Sequence, residues 1–405
     1  MTMTDPVRHP NGLTVLEAIF WSNCPSRYDL VTRTRFSKSK VGSIVGDLID
    51  EELIEEGSVQ DSSGGRRPTG LQLHRNLGYA IGIDLGVTSV TVTVSDVNFQ
   101  VVASSTTETD VRVGPGPVLA IISRSIDQLL KEQTIRRSQI LGIGMGVPGP
   151  VEFHTGLLIN PPLMPNWEGF NLREYFAESH SAPVFVDNDV NVMALGELHH
   201  RRSNGDSDGN ENMIVVNLGT GIGAGIIVRG EVYRGADGAA GDIGHVSIDP
   251  QGPRCHCGNT GCIEALAGAP NIVREAVAAA EQGISTILQD LVSTKGQLTL
   301  SDVSLAARQG DPAANHVIQT AGSRVGQVLA SLVNFFNPSH LLLDGPVAYM
   351  GPLMLASIRQ SVYARSLPLS TRKLHIDYTQ LGTRSGARGS TALAIHQALK
   401  QRLSQ

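Results

Sequence analysis

Aromatic side chains make up only 4% of this 405-residue chain, so its cores must be aliphatic. Cysteine is scarcer still, at four residues, three of them clustered and Cys24 alone. That usage argues against a disulfide framework and for a reducing compartment. No apolar run approaches the ~20 residues that cross a bilayer, and Met1 to Pro10 lacks the apolar stretch of a signal peptide. A cytoplasmic protein with no membrane partner is expected. Positive charge is not in excess either: the net charge of −6 excludes a globally basic nucleic-acid coat. The length allows roughly two to three domains.

The most specific feature present is Cys255-His256-Cys257-Gly258-Asn259-Thr260-Gly261-Cys262-Ile263-Glu264, which follows Gly241-Asp242-Ile243-Gly244-His245. Three thiolates and one imidazole complete a tetrahedral zinc site with no position left for substrate, so such a site is structural. Glu264, two residues past the last thiolate, would be held rigidly enough to hydrogen-bond a ligand.

The first 75 residues read as a separate unit. Leu13, Leu16, Ile19 and Phe20 recur at helical spacing, and Ser26 with Asp29 makes a capping box for a second helix. Ser37 caps a third, with an apolar stripe of Val41, Ile44, Val45, Leu48 and Ile49. Lys38, Ser39, Lys40 and Ser43 lie opposite that stripe and can reach phosphates or base edges. Two short strands then flank a Gly-rich tip carrying Arg66 and Arg67. Three helices and a hairpin are the order of a winged helix-turn-helix, whose third helix enters the major groove while the wing follows a narrow, A·T-rich minor groove. Residues 1–80 hold nine Lys/Arg against ten Asp/Glu, so the unit is not basic overall, as is also expected of a small helical dimerisation module with a solvated hairpin. The acids, however, cluster at Asp47 to Glu56, away from the cationic surfaces, and only phosphate-facing cations release counterions.

The rest alternates strands and helices. An apolar strand meets Asp84-Leu85-Gly86-Val87-Thr88 and turns into a second strand; Met213 to Leu218, Gly219-Thr220-Gly221 and Ile222 to Val228 repeat that plan. Such a repeat points to a duplicated α/β fold with a cleft between two lobes. Val184-Phe185-Val186 ends in Asp187-Asn188-Asp189, and a carboxylate at a strand's carboxyl end faces the crevice where α/β sheets bind ligands. His199-His200-Arg201-Arg202 reads as a solvated helix end, and Trp167 as a core residue. Gly386 to Ser390 reads as a turn before a last helix.

From about Asn11 to Leu399 the chain resembles the ROK family of sugar kinases and sugar-responsive repressors, within the actin-like ATPase superfamily. The resemblance rests on the Cys-x-Cys-Gly-x-x-Gly-Cys-x-Glu run, the Gly-x-Ile-Gly-His before it and the Asn188-Asp189 pair. The winged helix looks like the repressor branch, which includes xylose and N-acetylglucosamine repressors. The resemblance implies residues 1–75 as a DNA-binding domain, 78–190 plus 376–405 as one lobe, and 191–375 as the other. His245, Cys255, Cys257 and Cys262 would bind Zn2+, and Asn188, Asp189, Asp242, His245 and Glu264 would contact sugar. Asp189 stands where the kinases keep their general base. Asp84, Gly86, Thr88, Gly219, Thr220 and Gly221 lie at nucleotide-type turns.

Three departures bear on function. The second glycine of the kinases' Asp-x-Gly-Gly-Thr is Val87, disfavoured at positive φ and able to crowd a phosphate. The Gly-Gly expected after Leu341-Leu342-Leu343 reads Asp344-Gly345-Pro346. Asp242 replaces a Glu. The first two count against ATP. The expected function is therefore a sugar-responsive regulator, a repressor whose palindromic operator has A/T-rich flanks. Its effector would be a sugar or sugar phosphate in the interlobe cleft, and its assembly a homodimer or homotetramer. The rivals are an ATP-dependent sugar kinase with an accessory DNA-binding domain, and a protein controlled by docking to a transport component.

Overall fold

A computed structural model describes residues 11–59, 69–206 and 211–404. The chain divides into two units, Met1–Asp208 with Arg384–Gln405, and Gly209–Thr383. These limits fall later than the expected boundaries at 190/191 and 375/376, because the helix after Asn188 packs with the first unit and the strand at 375–378 pairs within the second.

The first unit opens with α1 (Gly12–Phe20), α2 (Arg27–Thr34) and α3 (Lys38–Asp50), then the hairpin β1 (Ile54–Val59) and β2 (Thr69–Leu73). The Ser26–Asp29 capping box forms, and the Ser37 hydroxyl accepts from the Lys40 amide at 3.3 Å. Val41, Ile44, Val45 and Leu48 are buried, each contributing roughly 1.5–3 kcal/mol of transfer free energy. Ile49 is only partly covered.

A five-stranded sheet follows, built from β3 (Tyr79–Leu85), β4 (Ser89–Asp96), β5 (Val101–Glu108), β6 (Ile140–Val147) and β9 (Val184–Asn188) in the order β5-β4-β3-β6-β9. β3, β4 and β5 are antiparallel neighbours, whereas β6 and β9 run parallel to β3. Between them lie α4 (Pro115–Glu132), the hairpin β7 (Val151–Glu152) and β8 (Leu157–Leu158), and α5 (Leu172–Ala177). Trp167 is fully buried and donates its indole N–H to the Val111 carbonyl at 2.8 Å, a core role. α6 (Asp189–Ser203) leaves the end of β9.

The second unit repeats this plan with β10 (Asn212–Leu218), β11 (Ile222–Val228), β12 (Glu231–Val232), β13 (His340–Asp344) and β14 (His375–Tyr378), ordered β12-β11-β10-β13-β14. The antiparallel and parallel pairings recur at matching places, so the expected duplication is present. Its helices are α7 (Ile263–Ala267), α8 (Ala269–Glu281), α9 (Thr286–Lys295), α10 (Leu300–Arg308), α11 (Pro312–Phe336), α12 (Pro352–Arg365) and α13 (Pro368–Thr371). Ala321, Val325, Val328 and Leu329 of α11 enter the core of this unit.

The chain ends in α14 (Ser385–Ser404), which lies on β3 and β6 beside α6. Gly386 to Ser390, expected as a turn, is the first part of this helix. A Cβ on Gly389 would sit 1.8 Å from the Val192 carbonyl oxygen, so glycine serves close helix packing there. Among the described residues, no helix is long and apolar enough to cross a membrane.

Candidate functional site

In the second unit, the segment from β12 to α7 carries little regular structure, and short-range backbone bonds shape it. The Cys255 amide donates to the Asn259 carbonyl at 2.8 Å, and the Gly261 amide to the Pro253 carbonyl at 2.8 Å. Gly261 has φ +69°, and a Cβ there would strike the Asp249 carbonyl, so only glycine fits before Cys262. These turns gather His245, Cys255, Cys257 and Cys262, whose ligand atoms all lie within 4.8 Å of one another.

The spacing suits one ion. Cys255 Sγ is 3.5 Å from His245 Nδ1, and Cys257 Sγ is 3.7 Å from Cys262 Sγ. Sulfur and nitrogen ligands about 2.3 and 2.1 Å from a tetrahedral centre lie roughly that far apart. Burial pushes the Cys262 thiol up to about 12 and raises Cys255 as well, so a cation is what would hold the thiols there as thiolates. The cluster could hold a metal, and its donor set fits zinc. His245 turns its other nitrogen, Nε2, toward Asp242 at 3.6 Å. That carboxylate suits the partner that fixes a ligating imidazole's ring.

Glu264 stands in the first turn of α7, and one of its oxygens accepts from the Ile222 amide at 3.1 Å. Burial raises its pKa while that bond lowers it. The Gly219-Thr220-Gly221 turn closes through a Gly219 N–H to Gly221 carbonyl bond of 3.0 Å, and the Gly219 carbonyl accepts from the Ala269 amide of α8. The Pro346 ring lies 3.6 Å from where a Gly219 Cβ would point. Asp344 is buried, accepting from the Tyr349 and Thr379 hydroxyls at 3.0 and 2.9 Å. Thus this strand end is tied up internally.

In the first unit, Asn188 caps α6: its Oδ1 accepts from the Val190 amide at 3.1 Å, and its side-chain amide donates to the Gly149 carbonyl at 3.0 Å. Asp189 follows in the first turn. Burial, and next the charge of Asp84, push it up to about 7. An acid poised there can keep or accept a proton near neutrality. Asp84 packs against the start of α14, where a Cβ on Gly386 would lie 2.2 Å from its carboxylate. Val87 departs from expectation: its φ is not positive, and its side chain packs on the sheet core without backbone strain. Gly86 shapes the turn through an N–H bond of 2.8 Å to the Ser89 carbonyl, and Thr88 is exposed.

On α3, Lys38, Ser39 and Ser43 are exposed, while Lys40 places its ammonium 4.0 Å over the Phe36 ring. Arg66 and Arg67 lie outside the described residues. Arg33 and Arg35, in α2 and at its C-cap, are also exposed. The largest correction concerns His199 to Arg202. Instead of a solvated end, His199 and Arg201 are buried, and His199 touches α1. No local pattern signals that contact.

Comparison with known proteins agrees with this architecture. The ROK family profile matches residues 80–397. The chain is 30% identical to the xylose repressor of Caldicellulosiruptor bescii over 389 residues, 96% of each protein. A glucokinase of Halalkalibacterium halodurans is 32% identical over 318 residues, 95% of that enzyme but 78% of this chain. A solved ROK family transcriptional regulator, a homologue of the Escherichia coli MLC protein, superposes with a TM-score of 0.78 at 28% identity, covering 98% of both chains. With most of its length matched by the family profile, the chain belongs to the ROK family.

Proposed function

We propose that this chain is a DNA-binding transcriptional repressor whose operator affinity is set by a sugar or sugar phosphate. One observation carries the reading: likeness to a repressor spans 96% of the chain, whereas likeness to a kinase spans 78%. Lys38, Ser39, Lys40 and Ser43, with Arg66 and Arg67, are its DNA contacts. Asn188, Asp189, Asp242, His245 and Glu264 are its sugar contacts. Zn2+ bound by His245, Cys255, Cys257 and Cys262 is structural, fixing the loop that leads into Glu264. Binding of sugar changes affinity only through its preference for one conformation over another. The repressor works in the cytoplasm as a homodimer or homotetramer, on a palindromic operator.

ATP has no part in this reading, since Pro346 overlies the second glycine turn and Asp344 is committed to Tyr349 and Thr379. Asp84, Gly86, Thr88, Gly219, Thr220 and Gly221 serve as backbone turns. The kinase alternative draws support from Asp189, an acid held near neutrality. The test uses a duplex enriched from a random library, with D-xylose, N-acetyl-D-glucosamine, D-glucose and their phosphates added in turn. One of them should weaken duplex binding at least tenfold. ATP-dependent phosphorylation of a sugar, lost in Asp189→Asn, would replace the repressor with an enzyme.

A further inference from the structure

Two helices of the first unit begin at candidate ligand residues and end against the DNA-binding domain. α6 starts at Asn188 and Asp189 and spans ~22 Å over fifteen residues. α14 starts with Gly386 against Asp84. The pair cannot slide freely, because a Cβ on Gly196 would lie 2.4 Å from the Ser385 carbonyl and one on Gly389 1.8 Å from the Val192 carbonyl. The far half of α6 is stiffened by the buried Arg201, bound to Glu197 at 2.7 Å and to Asp206 at 3.1 Å.

Where the pair ends, it grips α1. The Phe20 carbonyl belongs to the last turn of α1, whose carbonyls lack partners within the helix. His199 Nε2 stands 3.2 Å from it, and the guanidinium of Arg388 stands 3.3 Å from His199 Nδ1. A carbonyl only accepts and a guanidinium only donates, so His199 is the neutral tautomer with its proton on Nε2. Burial, then the charge of Arg388, push its pKa down to about 3, so the ring stays neutral in any working buffer. Its ring lies 3.8 Å from that of Phe99, and Arg388 and Arg202 cover Phe99 and Trp21, each at 4.9 Å. On α14, His396 stacks on Phe20 at 5.1 Å, and both it and Lys400 reach Glu17.

We propose that α6, braced by α14, is the link through which a sugar at Asn188 and Asp189 resets the DNA-binding helices, with His199 as its joint to α1. The proposal rests on the sugar-responsive reading above. His199 and Arg388 are positioning residues that need touch neither sugar nor DNA. Because burial keeps His199 neutral, its contact with the Phe20 carbonyl passes on helix position rather than charge.

The test uses the full chain and the library-enriched duplex, with D-xylose and N-acetyl-D-glucosamine as probes. The readout is the coupling factor, the ratio of duplex Kd with and without saturating sugar. His199→Leu removes both hydrogen bonds at similar volume, and Arg388→Met removes one of them in case the first variant folds poorly. Each should bring a factor of ten or more to within twofold of one. Sugar affinity and sugar-free duplex affinity should each move less than about threefold. Unchanged coupling in both variants would overturn the link. A second measurement needs no sugar: Asn188→Ala, which removes the α6 cap, should speed amide exchange in residues 12–20 severalfold. If no sugar binds the wild type, the functional reading fails; if α1 exchange ignores Asn188→Ala, the link fails.

Discussion

The two units share one strand order but fix their polar groups by opposite means. Asn188 and Asp189 sit where β9 passes directly into α6, on a helix pressed against α14 and the sheet. Position there comes from packing. Asp242, His245 and Glu264 instead hang on a segment with one short 3-10 turn before α7, held by turns and by the His/Cys cluster. With little regular structure around them, more is left for a metal to hold. Packing and ligation are thus alternative ways to immobilise side chains, and they should fail under different insults.

The largest effect separates them. Cys257 is exposed, so Cys257→Ser deletes a ligand with little loss of packing. Structural zinc sites contribute on the order of 10 kcal/mol of binding free energy near neutral pH, and much of this should be lost. Metal content should fall from one zinc per chain, and proteolysis should open the chain between 246 and 262. Sugar response should vanish while α6 keeps its amide protection. Equal protection of the 246–262 segment with and without the fourth ligand would erase the contrast between the two regions.

A smaller effect probes the packed site. An unfolded aspartate titrates near ~4, whereas Asp189 is pushed up to about 7 by burial and Asp84. Between those values the folded chain holds a proton that the unfolded chain has released. This residue therefore makes stability fall as pH rises from about 4 to about 7, and above that the cost is complete. Asp189→Asn has no charge to bury. Relative to the variant, the wild type should lose roughly 1–3 kcal/mol between pH 5 and 7.5 in urea unfolding. A difference flat across that range would mean that Asp189 ionises like a solvated acid.

What the sequence revealed divides along a similar line. The Ser26–Asp29 box, the Ser37 cap and the α3 stripe depend on neighbours within four residues, and all form. The three thiols were legible because metal ligation restricts both residue type and spacing. α9 gives little signal in the sequence: it buries only Leu288 among its described residues and so lacks a clear apolar stripe. The start of α14 looked like a turn because its glycines and serines are poor helix formers. Tertiary packing against α6 overrides that preference. The burial of His199 is wholly non-local, since Phe20 lies 179 positions away.

The smallest effect distinguishes two kinds of glycine inside helices. Gly389 is required by packing, with Val192 occupying the place of its Cβ. Gly42 and Gly46 of α3 have nothing within 4 Å of theirs, so nothing inside the described chain explains them. A mid-helix glycine costs about 0.5–1 kcal/mol relative to alanine. Gly42→Ala should therefore stabilise the domain by that amount in thermal or urea unfolding. If α3 lies close in the major groove, the same methyl group should weaken duplex binding severalfold, because the exposed face made by Ser39, Gly42 and Ser43 would be held off the bases. Stabilisation together with unchanged duplex affinity would show that this face does not meet DNA closely. The opposing signs, more stable yet weaker in binding, are what a glycine retained for an external surface predicts, and no packing glycine can give them.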